Sequence, residues 1–109
     1  MQIIPLQAVP NQTLRVLLDG QATQINLYQK ATGLFIDVLV NDVLIAGGVI
    51  CENLNRVIRY LYEGFSGDLA FIDSLTGSDG VGTDPVYTGL GTRYSLAYIE
   101  PDELLPNEG

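Results

Sequence analysis

The sequence predicts an all-β fold, chiefly from the spacing of its apolar residues. Short runs rich in Val, Ile, Leu and Tyr recur along the chain and are separated by turn residues. The pairs Asp19-Gly20 and Asn41-Asp42 each stand between two such runs and indicate turns, and Asp19-Gly20 suits the positive φ angles of a tight hairpin. Apolar residues at helical spacing are confined to the stretch 51–68. We therefore expect antiparallel strands that follow one another along the chain.

The first half of the chain is expected to hold one edge strand and two hairpins. The run QIIPL predicts a strand at an edge or a bulge, because Pro5 cannot donate a hydrogen bond to a neighbouring strand. The run TLRVLLDGQATQINLYQ predicts the first hairpin, which turns at Asp19-Gly20. The run GLFIDVLVNDVLIAGGVI predicts the second, which turns at Asn41-Asp42 and bulges or bends at Gly47-Gly48.

The strand that opens the second hairpin is apolar on both faces. Its two faces carry Leu34, Ile36, Val38 and Val40 on one side, and Phe35, Asp37 and Leu39 on the other. Only Asp37 interrupts the second face. We therefore expect the first face to join the core, and Phe35 and Leu39 to be covered by a partner or by a capping segment.

The second half of the chain is less regular. Residues 51–68 predict either a short helix that begins near Asn53 or a strand that ends in a turn at 64–67. The run DLAFID predicts a short strand, and TRYSLAYIE predicts the last strand. Between them, residues 74–91 have little regular pattern, so this long loop is either functional or poorly ordered. Residues 101–109, PDELLPNEG, predict an extended acidic tail.

Taken together, these elements favour a small antiparallel OB-like β-barrel with at most one short helix. A β-sandwich is the alternative architecture. A chain of 109 residues without an internal repeat suffices for one core, so we expect a single domain over residues 1–100.

Composition limits the classes of partner. The formal net charge is -8, so the surface would repel a nucleic-acid backbone. Charged residues make up 17% of the chain and hydrophobic residues 47%, which indicates that part of the surface meets other protein. The single Cys51 is expected to be an inert buried thiol. Since no apolar run reaches the roughly 20 residues of a spanning helix and the amino terminus lacks a signal-peptide pattern, we expect a soluble protein without a membrane partner.

Catalytic and cofactor chemistry have little support in the sequence. Without histidine and with one cysteine, the chain cannot form a Ser-His-Asp triad, a Cys-His dyad or the usual zinc site. Scattered acids such as Asp68, Asp73, Asp79 and Asp84 are more often turn residues than a catalytic pair or calcium ligands. The aromatic residues are expected in core or interface rather than stacked on bases. We expect no enzyme activity, cofactor or metal.

The candidate functional residues lie mainly in residues 83–100, TDPVYTGLGTRYSLAYIE. Gly89 and Gly91 permit backbone angles or close approaches that a side chain would forbid. Arg93 is predicted either to pair with Asp84 as an internal brace or to reach a partner's carboxylate or carbonyl groups. The candidate interface or loop-shaping residues are Asp84, Pro85, Tyr87, Gly89, Leu90, Gly91 and Arg93, with Phe35, Leu39 and the neighbouring Arg56 and Arg59 elsewhere in the chain.

Several blocks of the sequence together resemble a known family. They are MQIIPLQAVPNQTL, INLYQKATGLFIDVLVNDVLIAGGVICENLNRVI, FSGDLAFID and DPVYTGLGTRYSLAYIE, which cover most of the chain in order. The chain resembles the baseplate plug proteins of contractile-tailed bacteriophages, small OB-fold-like domains. The loop LTGSDGVGT is longer than the family pattern needs before Asp84.

The resemblance implies a structural virion protein of the central tail baseplate, assembled in the host bacterial cytoplasm. It would pack against hub, spike or tail-tube proteins near the central channel, with copies arranged by the threefold or sixfold symmetry of the tail axis. The alternatives are a stand-alone OB-like binding module for a small ligand or oligomer, and a small carboxylate hydrolase. The acidic charge and the poor clustering of the acids speak against an oligonucleotide ligand and a hydrolase, respectively.

Overall fold

The structure is a computed structural model and describes residues 2–54, 56–58, 66–74 and 83–100. These residues form strands and one short 3-10 turn. The strands are β1 (Gln2–Ile4), β2 (Asn11–Leu18), β3 (Gln21–Lys30), β4 (Gly33–Val40), β5 (Val43–Ile50), β6 (Asp68–Asp73) and β7 (Tyr94–Ile99), and the 3-10 turn spans Tyr87–Gly89. No helix among the described residues is long and apolar enough to cross a membrane.

Strands β2 to β5 form a four-stranded antiparallel sheet in chain order, and both predicted hairpin turns are confirmed. Leu18 pairs with Gln21 around the first turn, and Val40 pairs with Val43 around the second. All four turn residues have positive φ, at 52° and 77° in the first turn and 51° and 67° in the second. Turns with two positive φ angles match the right-handed twist of the strands that they join, which explains the Asp-Gly and Asn-Asp pairs.

The predicted bulge at Gly47-Gly48 is also confirmed. Ile36 pairs with Val49 and Val38 pairs with Ala46, so the two glycines lie opposite the single residue Asp37. Gly48 has φ of 62°, and its N–H donates to Asp37 Oδ1 at 2.8 Å. The acid that interrupts the apolar second face of β4 thus holds the bulge in place.

The second sheet joins the two ends of the described chain. Its strand order is β1-β7-β6, and all its pairings are antiparallel. Strand β1 lies at an edge and ends before Pro5, as the proline predicts. Tyr94, Leu96 and Tyr98 are all buried, which confirms that they share the inner face of β7.

The two sheets enclose one hydrophobic core. Its members come from both sheets and include Ile4, Leu18, Ile25, Leu27, Leu34, Ile36, Val38, Phe71, Leu96 and Tyr98. The all-β prediction is confirmed, but neither sheet closes on itself among the described residues. The structure thus shows two antiparallel sheets that share this core, and the OB-like barrel is not confirmed.

The ambiguous stretch after β5 runs alongside β6 in its described part. Leu54 donates its N–H to the carbonyl of Phe71, and Val57 donates to that of Leu69, both at 2.8 Å. Residues 51–54 and 56–58 form no helix, so the predicted helix start near Asn53 is not found there. Residues 55, 59–65, 75–82 and 101–109 lie outside the described residues, and with them Arg59, most of the acidic loop and the predicted tail.

Candidate functional site

The segment that leads into β7, residues 83–93, is fixed by hydrogen bonds from distant parts of the chain. Asp84 Oδ1 accepts the N–H of Asn53 at 3.1 Å, and the N–H of Tyr87 donates to Gln29 Oε1 at 3.1 Å. Pro85 and Leu90 are buried. The segment therefore has a defined shape, set by contacts with β3 and with the strand-like stretch beside β6.

Arg93 pairs with Asp73 and not with Asp84. Arg93 Nε donates to Asp73 Oδ1 and Arg93 Nη2 donates to Asp73 Oδ2, both at 2.8 Å. The Asp73 side chain is fully buried, whereas 37% of the Arg93 side chain is exposed. The predicted Arg93–Asp84 pair is wrong because Asp84 is turned toward the backbone of Asn53. Arg93 does form an internal brace, as predicted, but its partner is Asp73.

Further donors complete the environment of Asp73. The N–H of Thr83 donates to Asp73 Oδ2 at 2.8 Å, and Thr83 Oγ1 lies 2.8 Å from the Tyr94 hydroxyl. The N–H of Asp73 itself donates to Asn53 Oδ1 at 2.8 Å. The hydrogen bonds to Asp73 raise the pKa of the Arg93 guanidinium, which also lies 5.1 Å from the centre of the Tyr94 ring. Both carboxylate oxygens of Asp73 accept hydrogen bonds, so this acid fixes the positions of Arg93 and Thr83.

Two glycines of the segment are needed where they stand. Gly91 has φ of 82°, and a Cβ there would lie 2.5 Å from the backbone oxygen of Leu6. A Cβ at Gly89 would lie 2.7 Å from the Tyr94 ring. The backbone at Gly91 therefore packs directly against the backbone of Leu6, in the connection between β1 and β2. Only glycine permits so close an approach.

The outer face of the four-stranded sheet, directed away from the core, carries several apolar side chains. Register places Phe35 opposite Tyr28 and Ile50, and Leu39 opposite Gln24 and Leu44. The outer face is defined by Thr13, Arg15, Leu17, Gln24, Asn26, Tyr28, Phe35, Asp37, Leu39, Leu44 and Ile50. Leu44 is 57% exposed and Ile50 43%, so the apolar second face predicted for β4 extends onto β5 without cover from the described residues, and Leu17, on the edge strand β2, is 63% exposed.

A polar cluster crosses the middle of this face. Asp37 accepts hydrogen bonds from the Tyr28 hydroxyl at 2.9 Å and from the N–H of Gly48 at 2.8 Å. Burial alone would raise the pKa of Asp37, but the hydrogen bonds from Gly48, Tyr28 and Asn26 outweigh it and hold the pKa below its ordinary value. Burial and the bond to Asp37 raise the pKa of Tyr28.

Aromatic residues form one end of the outer face. The rings of Tyr28 and Phe35 are stacked with their centres 6.0 Å apart. Lys30 Nζ lies 5.4 Å from the centre of each ring, within the range of a cation–π contact. Phe35 is half-buried by this packing, and its remaining surface is open to a partner.

The other candidate groups are two arginines, the single cysteine and the acidic residues. Arg56 Nε lies 3.8 Å from the buried carboxylate of Asp68, and Arg59, its predicted neighbour in a basic patch, lies outside the described residues. Burial raises the pKa of the Cys51 thiol, in agreement with an inert cysteine. Across residues 2–54, 56–58, 66–74 and 83–100, no group of His, Cys, Asp or Glu side chains is placed to hold a metal ion.

Comparison with known proteins decides the family. The chain matches the family model described as cyanophage baseplate Pam3 plug gp18 over residues 1–102. The chain belongs to this baseplate plug family. Among curated proteins, none matches the chain. The baseplate plug family confirms the resemblance drawn from the sequence, and it assigns the chain a structural role in the tail baseplate of the phage virion, in association with other baseplate components.

Within this plug protein, sequence reasoning missed Asp73 as the partner of Arg93. The available signal was its place in DLAFID, where it shares a buried strand face with Leu69 and Phe71. A carboxylate in a buried strand position needs a cation or several donors. Arg93 directly precedes Tyr94, the residue of β7 that pairs with Asp73, and this register brings the cation to the acid.

Proposed function

We propose that this plug protein packs against hub, spike or tail-tube proteins near the central channel of a contractile tail, and that it does so without catalysis. The observation that carries the proposal is the outer face of the four-stranded sheet. Phe35 and Leu39 lie on it opposite the exposed Ile50 and Leu44, respectively, and this apolar surface has no cover from the described residues. Uncovered apolar faces on small proteins mark contacts with other proteins.

In this proposal the residues 83–93 shape the plug instead of contacting a substrate. Arg93 and Asp84 are engaged inside the protein, with Asp73 and the Asn53 backbone respectively. The braced segment supports the edge of the three-stranded sheet, and the contacts with other baseplate proteins come chiefly from Phe35, Leu39 and their neighbours. Assembly takes place in the host cytoplasm before the tail is complete.

Charge substitution on the outer face tests the proposal. In a phage that lacks the plug gene, Phe35→Lys and Leu39→Lys supplied from a plasmid should restore infective particles at least tenfold less well than the wild-type chain. Ala8→Lys is the matched control, since Ala8 is exposed in the connection between β1 and β2, is not one of the residues that define the outer face, and gains the same charge. Circular dichroism and thermal unfolding of each purified variant verify the fold. Folded variants that complement as well as Ala8→Lys would rule out the outer face as the contact surface.

The symmetry of the plug is a separate part of the proposal. We expect several copies around the tail axis, joined by identical head-to-tail contacts that close into a ring of threefold or sixfold symmetry. Native mass spectrometry of the plug mixed with its hub protein should give complexes with three or six plug copies. A strictly monomeric plug that joins no tail protein would contradict both the ring and the packing role.

A stand-alone OB-like binding module is the second candidate, because the outer face has an open cavity of about 530 Å³. Its lining includes Arg15, Leu17, Gln24 and Asn41. Under this reading the isolated monomer would bind a small ligand saturably, and Arg15→Ala would weaken binding while leaving phage assembly intact. Loss of assembly without any ligand binding favours the plug role.

A further inference from the structure

One end of the outer face carries two side chains of opposite charge around the open cavity. Arg15 lies on β2 and Asp42 in the turn between β4 and β5; both are exposed, and both line the cavity. Arg15 Nε donates to Gln24 Oε1 at 3.2 Å. Neither Arg15 nor Asp42 forms an ion pair within the described part of the chain. The cavity thus holds a cation and an anion that the other described residues leave unpaired.

Two exposed leucines lie at the same end of the outer face. Leu17 is 63% exposed and Leu44 57%. Leu17 and Arg15 are two residues apart on β2, at one edge of the sheet, and Leu44 and Asp42 are two residues apart at the opposite edge. Each edge therefore presents one charge and one leucine.

Strand β3 lies between the two charges. Arg15 pairs with Gln24 on one side of β3. On the other side, Asn41 donates its N–H to the carbonyl of Ala22, and Asp42 follows Asn41 in the turn. The midpoint between the two charges therefore falls on β3 near Ala22, an exposed small residue that leaves room for a close approach.

This end of the outer face is complementary to itself. A twofold rotation about an axis at Ala22, perpendicular to the sheet, brings Arg15 of one copy to Asp42 of a second copy. The same rotation brings Leu17 to Leu44, and every contact then occurs twice, as in the twofold interfaces that are commonest among oligomers. Another protein would need the same four groups in the inverse arrangement, whereas a second copy carries them already. The residues that define the outer face include one positive and one negative charge, so the net charge of -8 comes from other parts of the chain.

We propose that the free plug protein forms a twofold dimer through this end of the outer face, with Arg15 of each copy against Asp42 of the other and the exposed leucines packed between the copies. A head-to-tail ring uses two different surfaces of each copy, whereas this dimer uses one surface twice. The dimer is therefore a form of the free protein and is separate from the ring. Because the outer face is also the proposed contact with baseplate proteins, a baseplate protein must displace the second copy, and until then the dimer keeps the leucines covered. The dimer itself does not depend on the baseplate role.

Charge exchange between chains tests the dimer. Sedimentation equilibrium of the purified wild-type chain should show a dimer at micromolar concentration. Arg15→Asp and Asp42→Arg should each raise the dissociation constant at least tenfold, because each variant sets like charges opposite one another at two places. A mixture of the two variants should recover the dimer, since every charge contact between the two chains then joins opposite signs. Mixing cannot restore an Arg15–Asp42 pair within one chain, so the recovery identifies a contact between copies.

Asp19→Arg is the matched control for Asp42→Arg. Asp19 is also an exposed acid with positive φ in a two-residue hairpin turn, so its substitution should leave the dissociation constant unchanged. Thermal unfolding of each variant verifies the fold. A wild-type chain that sediments as a monomer, or a mixture that fails to recover the dimer, would overturn the proposal. These measurements involve no baseplate, so such a result leaves the proposed function standing.

Disulfide crosslinking tests the arrangement of the two copies. Leu17→Cys chains mixed with Leu44→Cys chains should form disulfide-linked dimers on mild oxidation, because the rotation sets these two positions against each other. Leu17→Cys chains alone should not, since the same rotation carries Leu17 to the opposite edge of the sheet. The native Cys51 is buried and does not compete. A protein that sediments as a dimer but crosslinks through Leu17→Cys alone, or not at all in the mixture, would overturn this arrangement.

Discussion

Arg93 donates two parallel hydrogen bonds of 2.8 Å to Asp73 across the β6–β7 pair. The acid is fully buried, and the arginine lies partly at the surface. Bidentate pairs of this geometry hold both side chains in one orientation, which a single-point contact does not. The pair therefore connects the end of β6 to the segment that precedes β7.

Loss of Arg93 should destabilise the protein more than loss of Arg56, the arginine that lies near Asp68 of β6. Arg93→Ala leaves the buried Asp73 without its cation, whereas Asp68, the acid 3.8 Å from Arg56, also accepts the N–H groups of Ile58 and Leu69 and so keeps donors when Arg56 is removed. Thermal unfolding should show a clearly larger fall in Tm for Arg93→Ala, and Arg93→Lys should recover only part of it. A stable, folded Arg93→Ala that fails only in baseplate assembly would show instead that Arg93 serves as a partner contact.

Gly91→Ala should cost more stability than Gly20→Ala. Both glycines have positive φ, 82° and 77°, so each alanine has a backbone cost of about 1–2 kcal/mol. At Gly20 an added Cβ has nothing within 4 Å, but at Gly91 it meets the Leu6 backbone oxygen at 2.5 Å. The difference between the two free energies of unfolding in urea isolates the close approach. Equal losses would mean that the Leu6 connection moves aside freely.

Asp37 should make stability depend on acidity. Its folded pKa is lower than the ordinary 3.8, so the ionised form stabilises the fold above that value, and this contribution is lost as pH falls through the folded pKa. The free energy of unfolding of the wild-type protein should therefore fall more steeply below about pH 4 than that of Asp37→Asn. Parallel curves for the two proteins between pH 7 and 3 would contradict the hydrogen-bonded carboxylate at the bulge.

Gln21 and Tyr98 should prove to be energetically coupled. The Tyr98 hydroxyl donates to the Ser66 carbonyl at 2.6 Å, and Gln21 Oε1 accepts the Ser66 N–H at 2.7 Å. Ser66 therefore links Gln21 of the four-stranded sheet to Tyr98 of the three-stranded sheet. Tyr98→Phe should cost about 1 kcal/mol, the usual net value of a hydrogen bond. In a double-mutant cycle with Gln21→Ala, the combined loss should differ from the sum of the single losses. Additive losses would mean that the two side chains act independently.

The features that the sequence predicted correctly are local ones. The turns at Asp19-Gly20 and Asn41-Asp42, and the bulge at Gly47-Gly48, depend on the φ angles of a few adjacent residues, which residue type largely decides. The inner faces of β4 and β7 follow from period-two alternation. The assignment of strands to two sheets depends on pairing between distant segments, which no short pattern records.

The same reasoning explains the error at the candidate site. Arg93 and Asp84 lie in the same short segment of the sequence, so a pair across the turn was the simplest expectation. The actual partner, Asp73, is brought to Arg93 by the register of β6 against β7, in which Asp73 lies opposite Tyr94. The register confirms that Phe35 and Leu39 lie on the face of β4 away from the core, as the period-two alternation predicted, and their cover by a partner stays a prediction.

The pairing of β1 with β7 implies an order of events during synthesis. Strands β2 to β5 pair only with their neighbours in the chain, so this sheet can form as soon as its residues leave the ribosome. The three-stranded sheet joins Gln2 to Tyr98 and must wait until β7 has been made. Until then the apolar inner face of the early sheet is exposed, and we expect slow translation or truncation before residue 94 to yield aggregates of nascent chains.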